Sequence, residues 1–248
     1  MKTLIHILGP GASGKSTLSR ALLHYGVKTE WDGSTGMAEI LTVVPATVHG
    51  VAGEEKVKYV VSQQNGIALA GNYKNGTDSI KSIDALPHVL ELCWAKVPTV
   101  IVDPVRSSMK FVDWMTAYPE PLAALFVYID LSEETNIKRL LGRRFENNMR
   151  RSKGHAVPET ELPNKTYENM LAFQDRARGV WTYSWDNYKR TPSLHLSVSE
   201  TASPAQAAEL VHKGIDFLKQ AVETGATTGL GCHDPAQNQR DFVKWNSF

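Results

Sequence analysis

Eight residues, Gly9-Pro-Gly-Ala-Ser-Gly14-Lys15-Ser16, constrain this chain more than any other stretch. They fit the pattern G-x-x-x-x-G-K-[ST] in the context it requires. The apolar run TLIHIL at 3–8 precedes them, and a helical pattern at 16–25 follows, with Leu18, Ala21, Leu22 and Tyr25 at helical spacing. Glycines let such a loop curl until successive backbone N–H groups point inward at the start of a helix, where phosphate oxygens are favoured. Gly9, Gly11, Ala12, Ser13, Gly14, Lys15, Ser16 and Thr17 are thus the candidate polyphosphate cradle. Lys15 would reach the outer phosphates and Ser16 would ligate Mg²⁺.

The rest of the chain repeats the strand-then-helix rhythm. Apolar runs at 67–70, 99–102, 124–129 and 194–198 read as strands, with a further candidate at 27–31. Amphipathic stretches at 84–96, 132–144, 165–178 and 203–222 read as helices. Ser132 followed by Glu133 and Glu134, and Ser203 followed by Pro204, are helix starts. Strands that are apolar on both faces, alternating with helices, predict a three-layer α/β fold with a mainly parallel sheet. Residues 1–222 are expected to form one domain, and 223–248, rich in Gly and Thr and then polar, a tail.

Composition narrows the classes. With 42% hydrophobic residues, 248 residues bury a sizeable core, which excludes disorder as the main state. No run approaches the roughly 18 apolar residues of a membrane span, so no membrane partner is expected. MKTLIHILGP has too short an apolar run for a secretory signal, and Cys93 and Cys232 suit neither a disulfide framework nor a zinc site. A cytoplasmic, reducing setting is the expectation. The net charge of +1 excludes global polyelectrolyte binding but not a local basic surface. Such a surface is suggested by Lys138, Arg139, Arg143, Arg144, Arg150, Arg151 and Lys153, set against Glu146 alone. Trp181, Tyr183, Trp185 and Tyr188, among Arg176, Arg178, Lys189 and Arg190, would either stack bases or pack as one face of a strand. Asp103 closes the apolar strand TVIV, Asp32 follows the 27–31 run, and Asp78 lies in the polar loop Gly71-Asn72-Tyr-Lys74-Asn-Gly76-Thr-Asp78, suited to holding an acceptor through Asn72, Lys74 and Asp78. Asp130, just before a helix, reads as a strand end or cap.

The glycine loop, together with Val127-Tyr-Ile-Asp130-Leu-Ser-Glu-Glu-Thr-Asn-Ile-Lys-Arg139-Leu-Leu-Gly-Arg143-Arg144, resembles the P-loop kinases of the nucleoside and nucleotide kinase type. The two matches cover about a third of the chain. The resemblance implies a P-loop NTPase fold with an Arg-rich lid at about 143–163 closing over ATP. Arg139 and Arg143 would then contact the nucleotide, and Arg143 and Arg144 would stabilise transition-state charge. Asp103-Pro-Val-Arg106-Ser is similar to the acidic-Arg-Ser passage of nucleoside kinases. That similarity implies Asp103 as a Mg²⁺-side carboxylate acting through water and Arg106 as a phosphate or substrate contact. Asp32 stands where related kinases carry the general base, and which of Asp32 and Asp103 has that role stays open. Gly71–Asp78 followed by Asp103–Ser108 resembles, more narrowly, phage-type kinases of 5-hydroxymethyluracil in DNA. That resemblance implies ATP and Mg²⁺ as cofactors, DNA carrying a modified pyrimidine as partner, and the cytoplasm of an infected host as location. A kinase of a free nucleoside, nucleotide or small metabolite is the alternative, and a non-kinase ATPase switch a second.

Overall fold

The computed structural model describes residues 1–24, 37–48, 50–103, 109–120, 122–151, 165–187 and 193–224. In chain order the elements are β1 (Lys2–Leu8), α1 (Lys15–Leu23), β2 (Met37–Val48), β3 (Val51–Ser62), β4 (Ile67–Leu69), α2 (Ala85–Trp94), β5 (Thr99–Val102), α3 (Met109–Ala117), β6 (Leu122–Asp130), α4 (Glu133–Arg151), α5 (Lys165–Asn187), β7 (Ser193–Ser199) and α6 (Pro204–Glu223). They build one seven-stranded sheet in the order β2-β3-β4-β5-β1-β6-β7. The five strands from β4 to β7 run parallel, while β2 and β3 form an antiparallel hairpin that extends the β4 edge.

Alternation along β1 explains the layering. Leu4 and Leu8 join Leu86 and Val89 of α2, Phe111 and Val112 of α3 and Val180 of α5 in one core. Ile5 and Ile7 point the other way, into a second core with Leu18 and Leu22 of α1 and Val211, Ile215 and Leu218 of α6. A strand buried on both faces has no polar side to present, hence its near-continuous apolar run. The result is helices on both faces of a mostly parallel sheet, as expected. At the start of α6, Ser203 and Gln206 form a capping box behind Pro204, which satisfies two of the amides that a helix start leaves open.

Three features depart from the expectations. The sequence reading assigns no element to residues 37–62, whereas the structure has a hairpin of two 12-residue strands there. Pro45 disguises β2, but an edge strand tolerates proline where the missing N–H would face solvent. Helix α3 was likewise not expected. Residues 181–185 are not an alternating strand: they lie in α5, which continues from 165 to Asn187. The strand candidate at 27–31, most of the tail and the centre of the lid lie outside the described residues. No helix among the described residues is long and apolar enough to cross a membrane.

The carboxyl ends of β4, β5, β1, β6 and β7 share one edge of the sheet. Chain order reverses between β1 and β6, and in an open α/β sheet the crevice beside that reversal is where ligands bind.

Candidate functional site

The loop leaving β1 is tight. Ser13 N–H donates to Pro10 O at 3.2 Å, and Gly14, at φ +98°, is the N-cap of α1. A side chain is strained at that φ, so glycine lets the chain enter the helix here. Helix geometry leaves the first-turn amides of α1 without intrahelical acceptors, and they open onto a cleft of about 780 Å³. Gly11, Ala12, Ser13, Gly14, Lys15, Ser16 and Thr17 line one wall. Gly9 sits below it and contributes its carbonyl.

Lys15 is 7% exposed, and its Nζ donates to Gly9 O at 2.9 Å and Pro10 O at 2.8 Å. Burial lowers its pKa to about 8, against the opposing pull of Asp103 and Asp78 and with the help of Arg143. The ammonium is thus held by carbonyls that a bound anion could replace. Helix α4 braces the outside of the loop: Asn136 Nδ2 donates to Gly11 O at 3.1 Å and Arg139 Nη1 to Ser13 O at 3.3 Å. Arg139, Gly142 and Arg143 continue the cleft wall. Ser132 Oγ accepts from Thr135 N–H at the start of α4, so Ser132 is the cap and Asp130 the strand end.

Residues 71–79 form the opposite wall. Asn72 Oδ1 accepts from Asn75 N–H at 2.6 Å, and Gly76 N–H donates to Asn72 O at 2.8 Å. Asn72 therefore shapes the turn, and it is Asn75, with Lys74 and Asp78, that lines the cleft. Three contacts fix this loop to the rest of the site. Arg20 Nη1 donates to Lys74 O at 3.3 Å, His24 Nε2 meets Tyr73 Oη at 2.7 Å, and Tyr73 N–H donates to Glu39 at 3.0 Å.

A further anchor is deeper, and it involves Asp103. Only 1% exposed, its Oδ1 accepts from Thr77 N–H at 2.7 Å and its Oδ2 from Ser19 Oγ at 2.9 Å. Burial raises its carboxyl above the usual range, although those hydrogen bonds pull the other way. Gly76 has no room for a side chain, because a Cβ would stand 2.5 Å from Asp103 Oδ2 and closer still to Oδ1. Asp103 thus joins α1, β5 and the 71–79 loop beneath the cleft, and the carboxylate on the cleft wall is that of Asp78. Asp32, Arg106 and the side chain of Arg144 lie outside the described residues.

Two parts of the site escaped sequence reasoning. Arg20 lines the cleft one helical turn beyond Ser16, a position that the i, i+4 rule could have supplied. A second cleft of about 350 Å³ shares Ala12, Ser13, Gly14, Thr17 and Arg139 with the first. Leu18, Ile129, Val198, Ala202, Pro204 and Ala207 make it largely apolar. Glu200, also on its wall, accepts from Ser132 N–H at 2.8 Å and ties the β7–α6 turn to the β6–α4 turn. Both volumes fall within the roughly 300–1,000 Å³ of small-molecule sites. A phosphate cradle continuous with an apolar slot can hold a ligand that is anionic at one end and flat at the other.

The two rings of the aromatic cluster whose side chains are described, Trp181 and Tyr183, are engaged within the fold. Trp181 packs on Tyr128 at 5.4 Å and on His195 at 5.0 Å between ring centroids, and Tyr183 Oη donates to Asp113 at 2.6 Å. Trp181 thus packs α5 onto the sheet, and Tyr183 ties it to α3. The side chain of Trp185, and Tyr188, Lys189 and Arg190, lie outside the described residues. Compared with known proteins, the chain matches no family model and no curated protein.

Proposed function

We propose that this chain is an ATP-dependent kinase of the P-loop type, moving the γ-phosphoryl group of ATP to a hydroxyl. The observation that carries the reading is the cleft itself. Buried Lys15, the open amides of α1, Arg139 and Arg143 line one cleft, whose opposite wall is the 71–78 loop held by Arg20. Magnesium at Ser16 would supply charge neutralisation for the phosphates. In the reaction the acceptor oxygen forms a bond to the γ-phosphorus and the β,γ-bridging P–O bond breaks. Its electron pair leaves with ADP, and the hydroxyl proton passes to a carboxylate.

The chain's own contribution is electrostatic and positional, as phosphoryl transfer requires. Lys15 offsets charge on the migrating group. Arg139 and Arg143, on the basic helix that begins the lid, do so from the other side. The apolar slot at Val198–Ala207 suits the adenine ring, which orients the triphosphate along the loop. Asp32 is the expected base by resemblance. Asp78, on the cleft wall opposite Lys15, is its competitor for that role, and Asp103 would act on magnesium only from behind the wall.

The specific acceptor we favour is the hydroxymethyl group of 5-hydroxymethyluracil in DNA, from the resemblance of 71–78 and 103–108. The second reading, a small nucleoside or nucleotide acceptor, draws on the same rigid loop, which suits a compact ligand equally well. The test is transfer of label from γ-labelled ATP with Mg²⁺ to DNA containing 5-hydroxymethyluracil, to unmodified DNA, and to free nucleosides and nucleotides. Label on the modified DNA alone is the expected result. Label on free small molecules alone would overturn the DNA acceptor, and label on none would overturn the kinase. Asp32→Asn and Asp78→Asn, compared by kcat, then assign the base.

A further inference from the structure

The two clefts divide the site by chemistry. The apolar slot opens toward the β7–α6 turn, and the larger cleft runs the other way, across the start of α1 to the 74–78 loop. Five cations line that larger cleft, Lys15, Arg20, Lys74, Arg139 and Arg143, and Asp78 is the one acidic residue among its described lining. A magnesium-bound triphosphate carries a net charge of about −2, which Lys15, Arg139 and Arg143 already meet. Arg20 and Lys74 lie beyond that need, at the end of the cleft farther from the apolar slot.

Their placement is specific. Arg20 stands at i+4 from Ser16, so it presents its guanidinium on the same helix face about 5–6 Å farther along. Its Nη1 donates to the carbonyl of Lys74. One of the five N–H donors of the fork thus fixes its position against the loop, leaving a planar edge suited to paired phosphate oxygens. The Lys74 side chain is exposed at the same rim. Both side chains line this end of the cleft, so an anion seated there would meet two cations.

We infer that Arg20 and Lys74 bind a phosphate of the acceptor. The inference rests on the kinase reading and narrows it. The acceptor is a nucleotide unit whose own phosphate, monoester or diester, lies within about one helical turn of the reacting hydroxyl. A neutral nucleoside or uncharged metabolite leaves this end of the cleft without a partner and is a poor substrate.

The experiment uses three forms of one acceptor, the nucleoside, the 5′-mononucleotide and a short oligonucleotide of 5-hydroxymethyldeoxyuridine. Wild-type protein is compared with Arg20→Gln, Lys74→Gln and the control Lys96→Gln, whose exposed cation follows α2 at the opposite edge of the sheet. Binding of the fluorescently labelled mononucleotide and oligonucleotide, with Mg-ADP present, is measured alongside transfer. Wild type should prefer a phosphorylated form to the nucleoside by about 100-fold in kcat/KM. Arg20→Gln and Lys74→Gln should each reduce that preference about tenfold or more and weaken binding in parallel, with Lys96→Gln unchanged. Preference for the mononucleotide marks a monoester site and preference for the oligonucleotide a diester site. A nucleoside used as well as either phosphorylated form, or equal losses on all three forms, overturns the inference. Loss of transfer to every form with binding that still depends on Arg20 overturns the kinase reading and leaves the phosphate site standing.

Discussion

Gly14 and Gly76 both have positive φ, +98° and +58°, but their surroundings differ, and that difference gives a sharp prediction. A Cβ on Gly14 meets nothing within 4 Å, so Gly14→Ala carries only the backbone penalty of a left-handed residue, about 1–2 kcal/mol. A Cβ on Gly76 lies 2.7 Å from Asp103 Cγ and nearer to both carboxylate oxygens. Ordinary contact is about 3.5–4 Å, so the carboxylate must shift by about 1 Å. That movement breaks its 2.7 Å bond from Thr77 N–H and leaves a buried donor and a buried acceptor without their partners. A buried polar group left unpaired costs about 1–3 kcal/mol, and Gly76, at φ +58° and ψ −145°, adds the strain of a region that only glycine favours, which together bring Gly76→Ala to about 3–5 kcal/mol. Urea denaturation of the two variants beside wild type, read from the midpoints at constant m-value, measures the gap. Gly76→Ala should be the less stable by about 2 kcal/mol or more. Equal losses would refute the role given to Asp103 as the anchor of the 71–79 loop.

Asp103→Asn should cost under about 1 kcal/mol, since its oxygen can accept from Thr77 N–H, its amide can donate to Ser19 Oγ, and Ser19 can donate to Lys15 O. Asp103→Ala, which strands the Thr77 N–H, should cost about 2–4 kcal/mol by denaturant titration, and matching values for the two variants would contradict the account. Burial holds His6 and His195 neutral, each with its pKa lowered to about 3. The unfolded chain therefore takes up protons that the fold does not, and stability should fall below about pH 6.5 by about 2 kcal/mol per histidine at pH 5. His6→Leu should remove about 2 kcal/mol of the fall in unfolding measured at pH 7, 6 and 5, and an unchanged fall would count against it. Ala202→Trp, on the wall of the apolar slot, should raise the KM for ATP about tenfold with little change in Tm, whereas an unchanged KM would move the base elsewhere.

Legibility from sequence followed locality. The 9–16 loop, its flanking strand and helix, and strand β5 were readable because each is decided by adjacent residues and the burial of one short run. The β2–β3 hairpin was not, because Pro45 interrupts the local pattern and only pairing over 12 residues makes it a strand. Trp181, Tyr183 and Trp185 carry the alternating spacing of a strand, yet they lie in a helix, where Trp181 meets Tyr128 and His195 and Tyr183 turns to Asp113 of α3. Asp103 was legible as a strand-end carboxylate, yet its burial depends on Gly76 and Ser19, which are distant in sequence. Asn72 and Asn75 could not be told apart without the turn that points one inward and the other into the cleft. The apolar slot was invisible for the plainest reason: Val198–Ala207 meets Ala12–Leu18 only through the sheet.

The most direct measurement is a single-turnover reaction with γ-labelled ATP and Mg²⁺, following label into an acid-stable ester on the acceptor and into inorganic phosphate separately. Wild type should place most of the label on the acceptor, and Lys15→Ala should lower that transfer by at least about a hundredfold while remaining folded. Label released only as inorganic phosphate, or transfer undiminished in Lys15→Ala, would contradict the account.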